Sequence, residues 1–344
     1  MTETAPRPTL EAVAARAGVS RATASRVVRG GDGVRGPLVE RVLRAVEELG
    51  YVPNQAARSL VTRRHDAVAV VVAEPETRVF ADPFFALHLR GISKELTAHD
   101  NQLVLLLTEG REDHARVGRY LAAGHVDGAL VFSLHLDDPL PGLIRRAGVP
   151  AVFGGRPGWA DGADEGAAPT VYVDCDNRGG ARDAVRHLAG LGRTRIAHIA
   201  GPLDQTSAVD RLDGYRDVVG EADPRLIAQG DFTPAGGERA MRELLQRCPD
   251  LDAVFATNDL SAAGALRVLR EHGRRVPEDV ALIGFDDLLP VAEQTDPPLT
   301  TVRQDIEEMG RRMARLLLDH ITGGAAPHPG ATILPTTLVR RASA

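Results

Sequence analysis

Ser20, Arg21, Thr23, Ser25 and Arg26 fall within seven residues of one another and are of the types that grip a nucleic-acid duplex. A guanidinium fork matches the acceptor edge of guanine, so Arg21 and Arg26 are candidates for base reading, whereas the hydroxyls of Ser20, Thr23 and Ser25 suit phosphate oxygens. Ala22 between them is too short for a hydrogen bond but can touch a thymine methyl. A second set stands far downstream: Asn258 and Asp259 follow the apolar run Ala253 to Ala256, and Asp286 and Asp287 follow Ala281 to Gly284. Amides and carboxylates at strand ends can exchange hydrogen bonds with vicinal hydroxyls, although strand-end capping alone also puts such residues there.

The first set needs an exposed helix face to act together. Leu10 to Val28 reads as two short helices about Gly18, which can take the left-handed turn conformation, and Ser20 stands where its hydroxyl caps the second helix. Val13, Ala17, Val19, Ala24, Val27 and Val28 are small and apolar enough to form the contact between the helices. The pattern is that of a helix-turn-helix, which a helical hairpin of purely structural purpose can imitate. A third helix is expected over Pro37 to Leu49, with Pro in front, Gly50 behind and apolar residues at Leu38, Val42, Ala45, Val46 and Leu49. Tyr51 to Arg64 is a short segment able to begin a helix after Pro53 but too short to hold one alone in water.

Charge divides the chain in the same place. Residues 1–65 hold 11 arginines against 6 acidic side chains, a balance of +5, and since the whole 344-residue chain is −6 the rest carries −11. A basic head on an acidic body fits a phosphate-facing module joined to a part that need not touch DNA, with a solvated charged face as the plainer alternative. No apolar run reaches the roughly 20 residues of a membrane span and none near the N-terminus has the form of an export signal, so a cytoplasmic protein is expected. Cys175 and Cys248 lack metal-ligand spacing and read as reduced, buried thiols. No phosphate-binding glycine loop, Gly-x-Ser-x-Gly elbow or paired-histidine spacing is present, and His187 and His198 read as structural; neither an enzyme nor a bound cofactor or metal is expected.

From Ala67 onward, short apolar runs alternate with helical stretches. Strands are expected at Val68 to Ala73, Leu103 to Leu107, Val126 to Phe132 and Ala151 to Phe153, then near 171–173, 195–199, 253–256 and 280–284. Helices are expected near 85–99, 112–123, 139–147, 177–190, 207–220, 235–247 and 259–272. Such alternation implies parallel sheets covered by helices, here in two lobes, with Gly154 to Pro169 as a surface loop before the second.

The chain resembles the lac repressor (LacI/GalR) family of bacterial transcriptional regulators. The likeness rests on Ala17-Gly-Val-Ser-Arg-Ala-Thr-Ala-Ser-Arg-Val, Gly50-Tyr-Val-Pro-Asn-Gln-Ala-Ala-Arg-Ser-Leu60, Pro83-Phe-Phe, Asp176-Asn, Asp210-Arg-Leu-Asp-Gly-Tyr215, Ala256-Thr-Asn-Asp259, Gly284-Phe-Asp-Asp287 and Leu299-Thr-Thr-Val302. It runs from about Thr9 to the C-terminus. The resemblance implies an all-α helix-turn-helix DNA-binding head plus an α/β periplasmic-binding-protein-like core of two lobes with parallel sheets. The head would occupy 1–52, a hinge helix and linker 53–65, and the effector-binding and dimerisation core 66–344. Lobe 1 would take about 66–169 and 304–328, and lobe 2 about 170–303 and 329–344.

The same resemblance implies a homodimeric repressor of a carbohydrate-utilisation operon, released from a palindromic operator by a small molecule. It adds Thr9 and Asn54 to the DNA contacts, places Leu60 as a wedge in the minor groove, and makes Ala57 the small residue that lets twin hinge helices approach. For the effector it implies polar contacts from Asp286 and Asn258, a gripping fork from Arg211, and stacking from Phe232, with Phe84, Phe85 and Asp176 as further candidates; for the phenylalanines a plain core role is the alternative. Where many relatives carry an acidic residue after Pro150-Ala-Val-Phe153, this chain has Gly154-Gly155-Arg156, so Arg156 is expected to offer a positive donor instead. A sugar is the expected effector, with a purine or nucleoside as the alternative. A secreted solute-binding protein would share the lobes but would not need residues 9–60.

Overall fold

The computed structural model describes residues 8–28, 30, 33–52, 64–158, 170–221, 223–323 and 330–344. It separates into two compact units, Met1–His65 and Asp66–Ala344. The first holds α1 (Leu10–Ala17), α2 (Arg21–Val28) and α3 (Gly36–Leu49). Gly18 ends α1 at φ 62°, ψ 41°, a left-handed turn that costs glycine nothing, and the turn delivers the chain into α2. Val13, Ala14, Ala17, Ala24, Val27, Val42 and Ala45 make the core of this unit. Alanine at so many of these positions lets three short helices approach closely. Of the expected hinge and linker over 53–65, residues 53–63, with Asn54, Ala57 and Leu60, lie outside the described residues.

The second unit carries two six-stranded sheets. Lobe 1 contains β1 (Ala67–Val72), α4 (Glu76–Ala81), α5 (Pro83–Ala98), β2 (Gln102–Leu107), α6 (Arg111–Ala122), β3 (Gly128–Phe132), α7 (Leu140–Ala147), β4 (Ala151–Gly154) and β5 (Val171–Cys175). Lobe 2 follows with α8 (Asn177–Gly190), β6 (Ile196–Ala200), α9 (Thr206–Val219), β7 (Ile227–Gln229), α10 (Pro234–Arg247), β8 (Ala253–Ala256), α11 (Asp259–Glu271), β9 (Ala281–Asp286), α12 (Leu289–Ala292) and β10 (Thr300–Arg303). The chain then returns to lobe 1 with α13 (Ile306–Ile321) and β11 (Gly330–Leu334), and ends in lobe 2 with β12 (Thr337–Val339). The strand orders are β11-β5-β4-β3-β1-β2 and β12-β10-β9-β8-β6-β7. Every pairing is parallel except that of β12 against β10. The central strands β3, β6, β8 and β9 are buried along their whole length, which is why they read as unbroken apolar runs.

Two lobe boundaries fall elsewhere than the sequence suggested. The strand at 171–175 belongs to lobe 1, where Phe153 pairs with Tyr172 and Gly154 with Val173, so the first crossing follows Cys175 rather than preceding residue 170. Residues 330–334 extend the same sheet beside β5, and the last crossing lies between Leu334 and Thr337. A short apolar run shows that a strand forms but not which sheet edge receives it. The segment 154–169 therefore precedes another strand of lobe 1, with 159–169 outside the described residues.

Helix α13 ties the return crossing to lobe 1. At its contact with α5, a side chain on Gly91 would enter the carbonyl of Glu307 and one on Gly310 would enter the carbonyl of His88. Glycine on both helices brings the backbones together, and Lys94 and Arg90 then clasp Glu307 at 2.6 and 2.7 Å.

Candidate functional site

The head presents the exposed start of α2. The Ser20 hydroxyl accepts from Thr23 N–H at 3.1 Å and lies 2.8 Å from the Thr23 hydroxyl, so one of the two protons is shared between them and the other can point outward. Thr9 likewise caps α1 by accepting from Ala12 N–H at 3.2 Å. Arg21 and Ala22 are exposed, and Arg21 is paired with Glu11 at 2.7 Å across open surface. Arg26 is exposed and has no ion-pair partner among the described residues, whereas Ser25 is half-buried. An exposed pair of this kind is worth little and yields readily to a phosphate or a base edge.

In the second unit a cleft opens between the lobes at the carboxyl ends of the strands. This is where open parallel sheets place ligands. Phe84, Arg156, Arg211, Phe232, Asn258 and Asp286 all line it. Asp176 does not. It is exposed and its carboxylate accepts from Gly179 N–H at 2.8 Å, making it the N-cap of α8. The place foreseen for it in the effector site is corrected: unlike Asn258 and Asp82, which are N-caps as well, it lies on no wall of the cleft. Its buried neighbour Asp174 is the one on the cleft.

Lobe 2 holds its polar set rigidly. Asp286 ends β9 with φ 104°, a conformation few residues other than glycine adopt, and is almost wholly buried. Gln304 donates to its carboxylate at 2.6 Å and Arg211 lies 3.5 Å away. Burial pushes Asp286 up to about 7, with Arg211 opposing the shift. Arg211 donates to Asn177 Oδ1 at 2.9 Å and to the Thr257 carbonyl at 2.6 Å, with its guanidinium 3.7 Å above the Phe285 ring. Asn258 caps α11 through Ser261 N–H at 2.9 Å and donates to the Phe232 carbonyl at 3.0 Å, holding Phe232 at φ 64°. Asp259 and Asp287 turn away: the first takes Thr301 and the Leu288 N–H, the second Arg303 and Arg341.

Lobe 1 contributes residues that no sequence spacing marked. Glu74, just after β1, accepts from Ser133 at 2.7 Å, pairs with Arg78 at 2.7 Å, and accepts from Gln205 of lobe 2 at 2.8 Å. His135 lies 2.7 Å from Asp204, and Leu136 N–H donates to the Asp204 carbonyl at 2.8 Å. Arg156 pairs with Asp210 at 2.7 Å. These contacts latch one lobe to the other across the mouth of the cleft. The guanidinium of Arg78 lies 5.3 Å from the centre of the Phe232 ring, a further link between lobes. Aromatic faces beside clustered amide, guanidinium and carboxylate groups can stack on and bond to a polyhydroxylated ring. No group of three or more His, Cys, Asp or Glu side chains able to hold a metal occurs among the described residues, and no described helix is long and apolar enough to cross a membrane.

Known proteins carry the same two parts. A model for bacterial regulatory proteins of the lacI family matches residues 9–54, and one for a periplasmic binding protein-like domain matches 185–344. The HTH-type transcriptional regulator CelR of Thermobifida fusca is 52% identical over 341 residues, covering 98% of each protein. A solved CelR–cellobiose complex superposes with a TM-score of 0.77 at 50% identity, covering 98% of this chain and 100% of that one. The lac repressor dimer bound to operator and the anti-inducer ONPF does so at 0.84 and 28%, covering 98% and 99%. With an exposed helix-turn-helix in front and a two-lobed cleft behind, this chain belongs to the LacI family of transcriptional regulators and is not an enzyme.

Proposed function

We propose that the chain is a homodimeric repressor of a carbohydrate-utilisation operon and that cellobiose, bound in the cleft, releases it from a palindromic operator. The observation that carries the sugar is the full-length 52% identity to CelR, whose solved complex contains cellobiose. The cleft chemistry supports it: Asp286, Arg211 and Asn258 offer fixed acceptors and donors, and Phe232 and Phe84 offer apolar faces, as a pyranose requires. In the head, Arg21 leaves Glu11 to join Arg26 on guanine edges, while Thr9, Ser20, Thr23 and Ser25 meet phosphates and Ala22 a thymine methyl. Asn54, Ala57 and Leu60 complete the grip as a hinge helix paired with its twin, Leu60 prising open a base step.

Effector and operator then prefer different lobe arrangements and oppose each other. Titration calorimetry of the full chain with cellobiose, and gel-shift of a palindrome from its own genomic neighbourhood with and without the sugar, test the reading. Micromolar binding and a weakened shift are expected. A chain that ignores cellobiose but binds a nucleoside sinks the sugar assignment, and a shift strengthened by cellobiose reverses the sign of control.

A further inference from the structure

The two walls of the cleft are finished differently. In lobe 2 the side chains facing the cleft satisfy one another: Arg211 on Asn177 and Thr257, Asn258 on Phe232, and Gln304 on Asp286. In lobe 1 Asp174 and Arg156 are likewise engaged, but three side chains are not. Arg78 Nε and His88 Nδ1 are buried and have no hydrogen-bond partner, and both residues line the cleft. Asp82 joins them. One of its oxygens accepts from Phe84 N–H at 2.9 Å and caps α5, while no described residue bonds to the other. A buried polar atom without a partner costs more than a hydrogen bond returns, so Arg78 Nε and His88 Nδ1, on residues that line a ligand cleft, mark where ligand atoms belong, and the second Asp82 oxygen is an open acceptor on the same wall.

The chemistry of the three atoms is specified. His88 is almost wholly buried, stacked 4.3 Å from the Phe132 ring at an interplanar angle of 10°, and held neutral because burial pushes it down to about 3. Its Nε2 lies 3.1 Å from Met313 Sδ, a thioether that can only accept, so Nε2 carries the hydrogen and Nδ1 is a bare acceptor. Arg78 spends another nitrogen on Glu74, leaving Nε–H as a donor. Asp82 faces Asp286 from the opposite lobe, near enough for its charge to raise that carboxyl.

We infer that Arg78, Asp82 and His88 are the specificity-determining wall of the cleft, where Arg78 Nε–H and the free Asp82 oxygen pair with sugar hydroxyls and His88 Nδ1 demands a hydroxyl that donates to it. The inference rests on the cleft being a sugar site. It accounts for a lobe 1 wall in which Gly154-Gly155-Arg156 replaces an acidic residue and Arg156 is committed to Asp210. An ether oxygen or a carboxylate cannot satisfy Nδ1, whereas a pyranose hydroxyl can.

The test is calorimetric titration of the full chain with cellobiose and its singly deoxygenated derivatives, on wild type, His88→Phe and Asp82→Asn. His88→Phe keeps an aromatic ring on Phe132 and loses the acceptor; Asp82→Asn keeps the cap on Phe84. Wild type is expected to bind one deoxy derivative about 10- to 100-fold more weakly than cellobiose, the cost of one unpaired buried group. In His88→Phe that penalty should collapse to about one-fold for that derivative alone, and Asp82→Asn should alter the penalty at a different hydroxyl. Deoxy penalties unchanged in both variants overturn the inference and leave the effector assignment standing. Should His88→Phe lose its cooperative melt, the Asp82→Asn profile decides by itself, and an unchanged one overturns the inference. Failure of wild type to bind cellobiose overturns the effector reading, and the inference with it.

Discussion

Arg26 separates reading from gripping on the DNA side. It is exposed on α2 with no partner among the described residues, whereas Arg21 is already engaged by Glu11. A bidentate guanidinium on guanine is worth about 1–3 kcal/mol of discrimination, and a phosphate contact is worth nothing in discrimination because phosphates are everywhere. Arg26→Ala should therefore weaken operator binding roughly 10- to 100-fold in a gel-shift titration while binding to random duplex falls only slightly. Equal losses on both would move Arg26 to the backbone. At this scale the cleft was partly legible. Asn258 and Asp286 announced themselves as polar residues directly after apolar runs, and both line the cleft. Glu74, Asp82, His88 and His135 gave no such signal: Glu74 meets Ser133 and Gln205 across 59 and 131 residues of chain. A single histidine or carboxylate carries no information about a partner that only the crossovers bring near.

At the scale of elements, helices with ordinary ends were readable to within a residue or two: the expected 177–190 is Asn177–Gly190, and 259–272 is Asp259–Glu271. Helix α13 was not read, although it spans 16 residues and buries Ile306, Met309, Met313 and Leu317 on one face. It follows the crossing back to lobe 1, beyond the last strand that the alternation marked, and its partner α5 lies more than 200 residues earlier. The latch between the lobes joins the loop after β3 to the turn before α9, and it is sensitive to protons. The Glu74 carboxylate, 3.7 Å from Nε2, and Asp204, 2.7 Å from Nδ1, raise His135 from 6.5 to about 9. The proton is thus held more tightly in the closed fold than in the unfolded chain, so the stabilisation is complete below pH 6.5 and is lost as pH rises through about 9. Asp286, raised from 3.8 to about 7, also favours lower pH, but its contribution is spent near neutrality. Thermal melting should therefore fall between pH 7.5 and 9.5 in wild type, and His135→Gln should flatten that decline while melting near the wild-type value at pH 9.5. A decline of unchanged slope in the variant would free His135 from the latch.

At the scale of the molecule, the two units have opposite charge and separate tasks, and only a free energy of coupling makes them one regulator. Residues 1–65 carry +5 and the remainder −11, so phosphate affinity resides in the head, and the effector acts from a body that repels DNA. The cleft residues reach the operator only by shifting which lobe arrangement is populated, and a sugar of equal affinity for both arrangements would shift nothing. Glu74, His135 and Arg156 of lobe 1 hold Gln205, Asp204 and Asp210 of lobe 2 around the ligand space, so on the proposed reading this latch is the element to test as the one that sets the preference. If the proposed cellobiose control holds, linkage fixes the size of the response from either end: the factor by which saturating cellobiose weakens operator binding equals the factor by which saturating operator weakens cellobiose binding, typically about 5- to 150-fold. Measuring both dissociation constants on wild type and on His135→Gln at pH 7 puts this to the test. The two factors should agree within each protein, and the variant should show a smaller common factor, its operator affinity in the absence of sugar staying within about threefold of wild type. A wild-type factor of one would disconnect the cleft from the head, and an unaltered factor in the variant would place the coupling outside the latch.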